Sequence, residues 1–190
     1  ESGIEVVDHD AGFSFVSPSE EGPRQSPTSS GSGDHEASEY YFGVPDGVWH
    51  RHGDPRTLGW GKYRRTLMRI GAGEGKGRAT FAADLPASGS WRIFYHLPGS
   101  TVSGRSPPPI DGVARAFRAW DSFGTYDFEL VAGDVRQSVE FDARTAISGW
   151  NDIGAFELPA GPVSLEVSDS TDGNVVVADA VRWQMAGDAP

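Results

Sequence analysis

The sequence predicts an all-β fold: a jelly-roll-like β-sandwich of two mainly antiparallel sheets, with one short helix in an insertion near 111–120. Three observations lead there. Apolar and polar residues alternate in short runs, turn residues recur between the runs, and the stretch 150–183 reads as three strands separated by explicit turn chemistry. In that stretch Phe156 and Leu158 alternate with polar neighbours, Pro159 to Pro162 breaks the run, and Val163, Leu165 and Val167 then alternate with Ser164, Glu166 and Ser168. Asp172 and Gly173 form a second turn. The closing run from Val175 to Trp183 is apolar on both faces, which suits one central strand covered on both sides.

Taken in order, the pattern places strands at Ile4–Asp8, Phe13–Val16, Val48–Arg51, Tyr63–Ile70, Gly77–Leu85 and Ser90–Leu97. Further strands follow at Thr125–Val131, Val135–Asp142, Ile153–Leu158, Val163–Ser168 and Val175–Trp183. Alternation is clear in Ala79, Phe81, Ala83 and Leu85, in Trp91, Ile93 and Tyr95, and in Tyr126, Phe128 and Leu130, where every second side chain reaches the core. Gly133-Asp134 reads as a hairpin turn. Two regions break the pattern. Ser17 to Glu39 is rich in Ser, Pro, Gly and Glu and too poor in apolar residues to offset the entropy of ordering, so it reads as a long polar loop. In the insertion 99–123, Pro107 to Pro109 precede Asp111 as an N-cap, and Val113, Phe117 and Trp120 recur at helical spacing.

At 190 residues and 37% hydrophobic content the chain can bury one good core, so residues 1–190 form a single domain. It begins at Glu1 and carries no apolar run of the length a signal peptide or membrane span requires, so it reads as a piece excised from a larger protein. Cysteine is absent, which removes disulfides and thiolate zinc sites. The formal charge of −11 disfavours nucleic acid and anionic membranes as partners.

No Gly-x-Ser-x-Gly elbow, His-Glu-x-x-His helix or Cys nucleophile is present, so the chain reads as a non-enzyme. Gly71 to Gly77 has the look of a phosphate-cradling loop, but a strand follows where such a loop needs a helix, and a hairpin is the better reading. His50 and His52 make a two-imidazole pair with no third ligand at metal-binding spacing.

Within this pattern, the terminal motif from Trp150-Asn151-Asp152 to Ala178-Asp179-Ala180-Val181-Arg182-Trp183 resembles the golvesin and xanthan-lyase C-terminal family of carbohydrate-binding-like β-sandwich domains. Ile4 to Asp8 with Gly12-Phe13-Ser14 is similar to the family's opening strand and turn, and the segments at Gly61–Thr66, Arg78–Phe81, Leu85–Pro86, Gly89–Tyr95 and Gly124–Phe128 follow in the same order. The polar stretch 17–39 and the insertion 99–123 depart from it. The resemblance implies a noncatalytic accessory module from the C-terminal end of a secreted or envelope-associated bacterial protein. Such a module is extracellular, periplasmic or on the cell envelope and binds a glycan or cell-surface polymer. The alternative is an interaction or spacer domain that packs on its parent polypeptide, such as a peptidase or lyase.

Asp179 interrupts an apolar strand, and an unpaired buried carboxylate costs several kcal/mol (about 3 or more). A structural hydrogen-bond network from the first strand or a crossing loop would satisfy it, with Arg182 a neighbour only if a bulge brings both to one side. The competing answer is a structural calcium, with Asp8, Asp10 or Glu5 supplying further oxygens; no other cofactor is expected. Trp91, Trp150 and Trp183 are expected to pack in the core, whereas Trp49, Trp60, Tyr63 and Trp120 lie at element edges or in the insertion, where exposed rings stack on sugar faces.

Overall fold

A computed structural model describes residues 3–18, 47–52, 59–61, 66–98 and 123–186. The described strands are β1 (Ile4–Val7), β2 (Phe13–Val16), β3 (His50–His52), β4 (Leu67–Gly71), β5 (Arg78–Leu85) and β6 (Gly89–Leu97). They continue with β7 (Thr125–Ala132), β8 (Val135–Asp142), β9 (Gly149–Leu158), β10 (Gly161–Ser168), β11 (Val175–Ala178) and β12 (Ala180–Met185). No helix occurs among the described residues. The helix expected near 111–120 and residues 19–39 of the polar loop lie outside them.

The strands form three antiparallel sheets rather than the expected two: β1-β12-β6-β9, β2-β5-β10-β7-β8 and β11-β4-β3. The difference arises at Asp179. The run expected as one strand divides there, so that β11 pairs with β4 while β12 pairs with β1 and β6. A strand that passes from one sheet into another turns the corner at a bend, and the chain places its one acidic residue of that run there. The expected hairpin at Gly71 to Gly77 is corrected for the same reason, since β4 and β5 belong to different sheets and the glycines carry the chain between them. Gly73 sits so close to Asp169 that a Cβ would come within 2.2 Å of its Oδ2, which explains a glycine at that crossing. Gly133-Asp134 does close the β7–β8 hairpin, with Gly133 at a φ of 58°.

All three sheets contribute to one core. Phe81, Leu130 and Leu165 come from the five-stranded sheet, Ile93, Tyr95 and Trp183 from the four-stranded sheet, and Ile70 and Val176 from the three-stranded sheet. Removing each such large side chain from water is worth about 1.5–3 kcal/mol. Tyr95 is central: its ring lies 4.9 Å from Phe128 and 5.7 Å from Phe141, and its hydroxyl donates to the Val177 carbonyl across the gap between two sheets. Burial pushes the Tyr95 and Tyr126 phenols up, so both remain neutral donors. Val175 and Val177 face a second cluster with Leu67 and Phe123, so β11 is covered on both sides as its composition requires. β1 begins beside the end of β12, with Ile4 opposite Trp183.

Candidate functional site

Two reversals of strand phase build the site. β6 and β9 pair with Ile93 opposite Gly154, after which the register shifts so that Phe94 faces Asp152 and His96 faces Trp150. Ile153 is the extra residue of this bulge, and Gly154 with a φ of 136° supplies the backbone it needs. A one-residue slip sends every following side chain to the other face. Trp150 is in phase with Phe156 in the sequence, which predicts a core position; instead it stands half-buried on the face turned away from the core, against His96. The second reversal is at Asp179. Val176 and Ala178 point into the core before it and Val181 and Trp183 after it, which leaves Arg182 on the outer face in line with Phe94.

Trp60, carried by the described segment 59–61, lies over this face. Its ring centroid is 5.1 Å from Trp150 at an interplanar angle of 70°, and 5.3 Å from His96. The Arg182 guanidinium lies 4.2 Å from the Trp150 centroid and 5.7 Å from that of Trp60, within cation–π range of both. Glu5 joins the two, accepting from Trp60 Nε1 at 2.9 Å and from Arg182 Nε at 2.8 Å. The result is a pair of half-buried indoles edge to face, a guanidinium between them and a carboxylate on the rim. Chemically it offers apolar ring surface beside fixed donors and acceptors, the combination that holds amphipathic polyols such as sugars.

Asp179 lies beneath this cluster and is 0% exposed. Its two oxygens accept from the Trp60 backbone N–H at 3.1 Å each, and His96 Nδ1 is hydrogen-bonded to Oδ2 at 2.7 Å. Burial, helped by nearby Asp8, pushes its carboxyl up to about 6, against the opposing pull of the His96 and Trp60 bonds. Arg182 is directed to Glu5. The crossing-loop hydrogen bonds expected for Asp179 are therefore those of Trp60, with His96 added.

The other carboxylates considered for calcium are also engaged. Asp8 is fully buried, with Arg51 Nη1 donating to it at 2.8 Å, Thr66 Oγ1 at 2.8 Å and His9 Nδ1 lying 2.9 Å away. Asp10 is exposed and closes a turn by accepting from the Val7 N–H at 3.0 Å. Among the described residues no three His, Cys, Asp or Glu side chains are grouped so as to hold a metal.

Of the four aromatics expected to meet a ligand, only Trp60 occupies this face among the described residues. Trp49 is 3% exposed and belongs to the core, so its ring has no open face for a sugar. Tyr63 and Trp120 lie outside the described residues. Trp183 is fully buried. Sequence reasoning misses His96, although it shares strand parity with Arg92 and Phe94 rather than with the core residues Ile93 and Tyr95, a signal that it faces outward. A shallow groove of about 590 Å³ crosses the five-stranded sheet and is lined by residues such as Gly12, Ala82, Asp84, Val131 and Ser164. No aromatic side chain lines it.

Among solved structures, Paenibacillus xanthan lyase matches 97% of the chain at 16% identity with a TM-score of 0.60. The chain has the fold of a segment of that enzyme. It spans 13% of the lyase chain. A Podospora anserina GH26-CBM35 β-(1,4)-mannanase matches 94% of this chain and 29% of its own at 11% identity and a TM-score of 0.40. TmCBM61 in complex with β-1,4-galactotriose matches 70% of this chain and 86% of its own at 12% identity and a TM-score of 0.34. No family model and no curated protein matches the chain. Among the described residues no helix is long and apolar enough to cross a membrane.

Proposed function

We propose that the chain is a noncatalytic carbohydrate-binding accessory module of golvesin type, carried by a secreted or envelope-associated bacterial protein. Its ligand face is the outer surface of β1-β12-β6-β9 under Trp60. The observation that carries this reading is the Trp60–Trp150 pair, 5.1 Å apart and half-buried, with Arg182 and Glu5 fixed between and beside the rings. A pyranose stacks a C–H face on an indole while its hydroxyls exchange hydrogen bonds with the guanidinium and carboxylate. Weak contacts of this kind suffice when the module tethers its parent to a polymer, because the tether raises the effective concentration of the attached activity.

A second reading has its own support. Phe15 and Val16, at 46% and 64% exposed on the edge strand β2, favour a contact with the parent polypeptide or another protein. Affinity electrophoresis through gels containing bacterial or plant polysaccharides separates the two. Retardation by one glycan class, lost in Trp60→Ala and Trp150→Ala variants that still unfold cooperatively, supports the glycan reading. Unretarded migration in every gel by the folded domain overturns it in favour of the protein contact.

A further inference from the structure

The segment that carries Trp60 belongs to no strand, yet its indole is held at a defined angle to Trp150. Its described polar attachments are two. The indole Nε1 donates to Glu5 at the partly exposed rim, and the backbone N–H donates to both oxygens of Asp179 in the interior. The second attachment is anchored far more firmly than the first. Asp179 is fully buried, its own carbonyl accepts from the Asp8 N–H at 2.9 Å, and His96 grips its carboxylate at 2.7 Å. Its backbone is fixed between β11 and β12, which run in different sheets. A loop N–H that is shielded from water must find an acceptor, and a carboxylate binds it more strongly than a neutral oxygen does.

We propose that Asp179 is the positioning residue of the aromatic face: its carboxylate, through the Trp60 backbone, sets the indole edge-on to Trp150 and within reach of Arg182. Asp179 touches no ligand. The corner where the chain changes sheets thus does two tasks, ending one ladder and presenting the ring. The functional consequence rests on the reading that this face takes a glycan; the geometric claim does not.

Two nearly perpendicular indoles 5.1 Å apart couple their excited states, so the pair gives an exciton couplet in circular dichroism. Trp60→Phe and Trp150→Phe each abolish that couplet, which assigns it. Asp179→Ala lowers its amplitude, whereas a core variant such as Val163→Ala, destabilised without touching the segment, leaves it intact. An Asp179→Ala protein, which lacks any acceptor for the Trp60 N–H, overturns the proposal if it folds with an unchanged couplet. Amide hydrogen exchange on the unaltered protein provides a test that needs no variant. The Trp60 N–H is expected to be protected to the level of the β6 and β12 ladders, and exchange as fast as an exposed loop amide also overturns the proposal. If a polysaccharide retards the domain, Asp179→Ala, which removes the acceptor of the Trp60 N–H, should weaken that binding about tenfold, the effect of losing one charge-assisted hydrogen bond. Absence of retardation by any glycan would defeat the functional reading while leaving the couplet and the exchange rate to decide the positioning role.

Discussion

Replacing Asp179 by asparagine should change how stability depends on pH in a specified direction. Burial raises the folded-state carboxyl from 3.8 to about 6. Between those values the folded protein retains a proton that the unfolded chain has released, so stability falls as pH rises through that window and levels off above it. The span of the window corresponds to about 3 kcal/mol. His96 and Asp8 are the ionisable neighbours of this carboxyl, and His96 is hydrogen-bonded to it. The comparison is therefore made in a His96→Gln background, with and without Asp179→Asn, by urea unfolding at a series of pH values. The His96 bond opposes the upward shift, so burial remains its leading cause in that background. The stability of the protein that keeps Asp179 minus that of the Asp179→Asn variant should fall by about 3 kcal/mol between about pH 4 and pH 7. A flat difference, or one that rises with pH, would show that the carboxylate is not held in a desolvated site and would refute the reasoning.

Three further outcomes follow from packing and pairing. Gly124→Ala places a Cβ 2.1 Å from the Gly173 backbone nitrogen and 2.4 Å from Asp172 Oδ1, so denaturant unfolding should show a loss of about 3 kcal/mol. Tyr126→Phe removes the donor to the Val175 carbonyl at 3.1 Å in a buried setting and should cost about 1–2 kcal/mol in the same assay. Arg92→Ala breaks the ion pair with Asp152 at 2.7 Å, but both side chains are well exposed, so thermal unfolding should register a loss of no more than about 0.5 kcal/mol.

Most strand positions can be read from alternation, because a ladder with one buried face repeats every second residue; Ala79, Phe81 and Leu85 of β5 are buried as that repeat requires. What escapes the pattern are the two places where the repeat is broken. Nothing in the local sequence Ile153-Gly154 announces whether the glycine merely ends a turn or absorbs an extra residue, so phase with Phe156 puts Trp150 on the wrong face. At Asp179 an apolar run of valines and alanines suits one long strand as well as two short ones, and only pairing with distant partners, β4 on one side and β1 and β6 on the other, divides it. The same dependence on distant pairing makes Gly71–Gly77 a link between sheets instead of a hairpin. For the site, the need to satisfy Asp179 is evident from desolvation alone. The identity of its partners, Trp60 and His96, separated from it by 119 and 83 residues, is not.

The antiparallel pairing of β1 with β12 also determines how the domain bears load. Ile4, where β1 begins, lies opposite Trp183, near the end of β12. A polymer that pulls on the domain through the chain flanking these two strands draws both ends of one ladder apart from the same side. The ladder's hydrogen bonds lie perpendicular to the strands, so they are peeled one pair after another instead of being sheared together. Under tension this β-sandwich would therefore yield first at its β1–β12 seam, at low force and in small steps, with Glu5 parting from Arg182 early in that sequence.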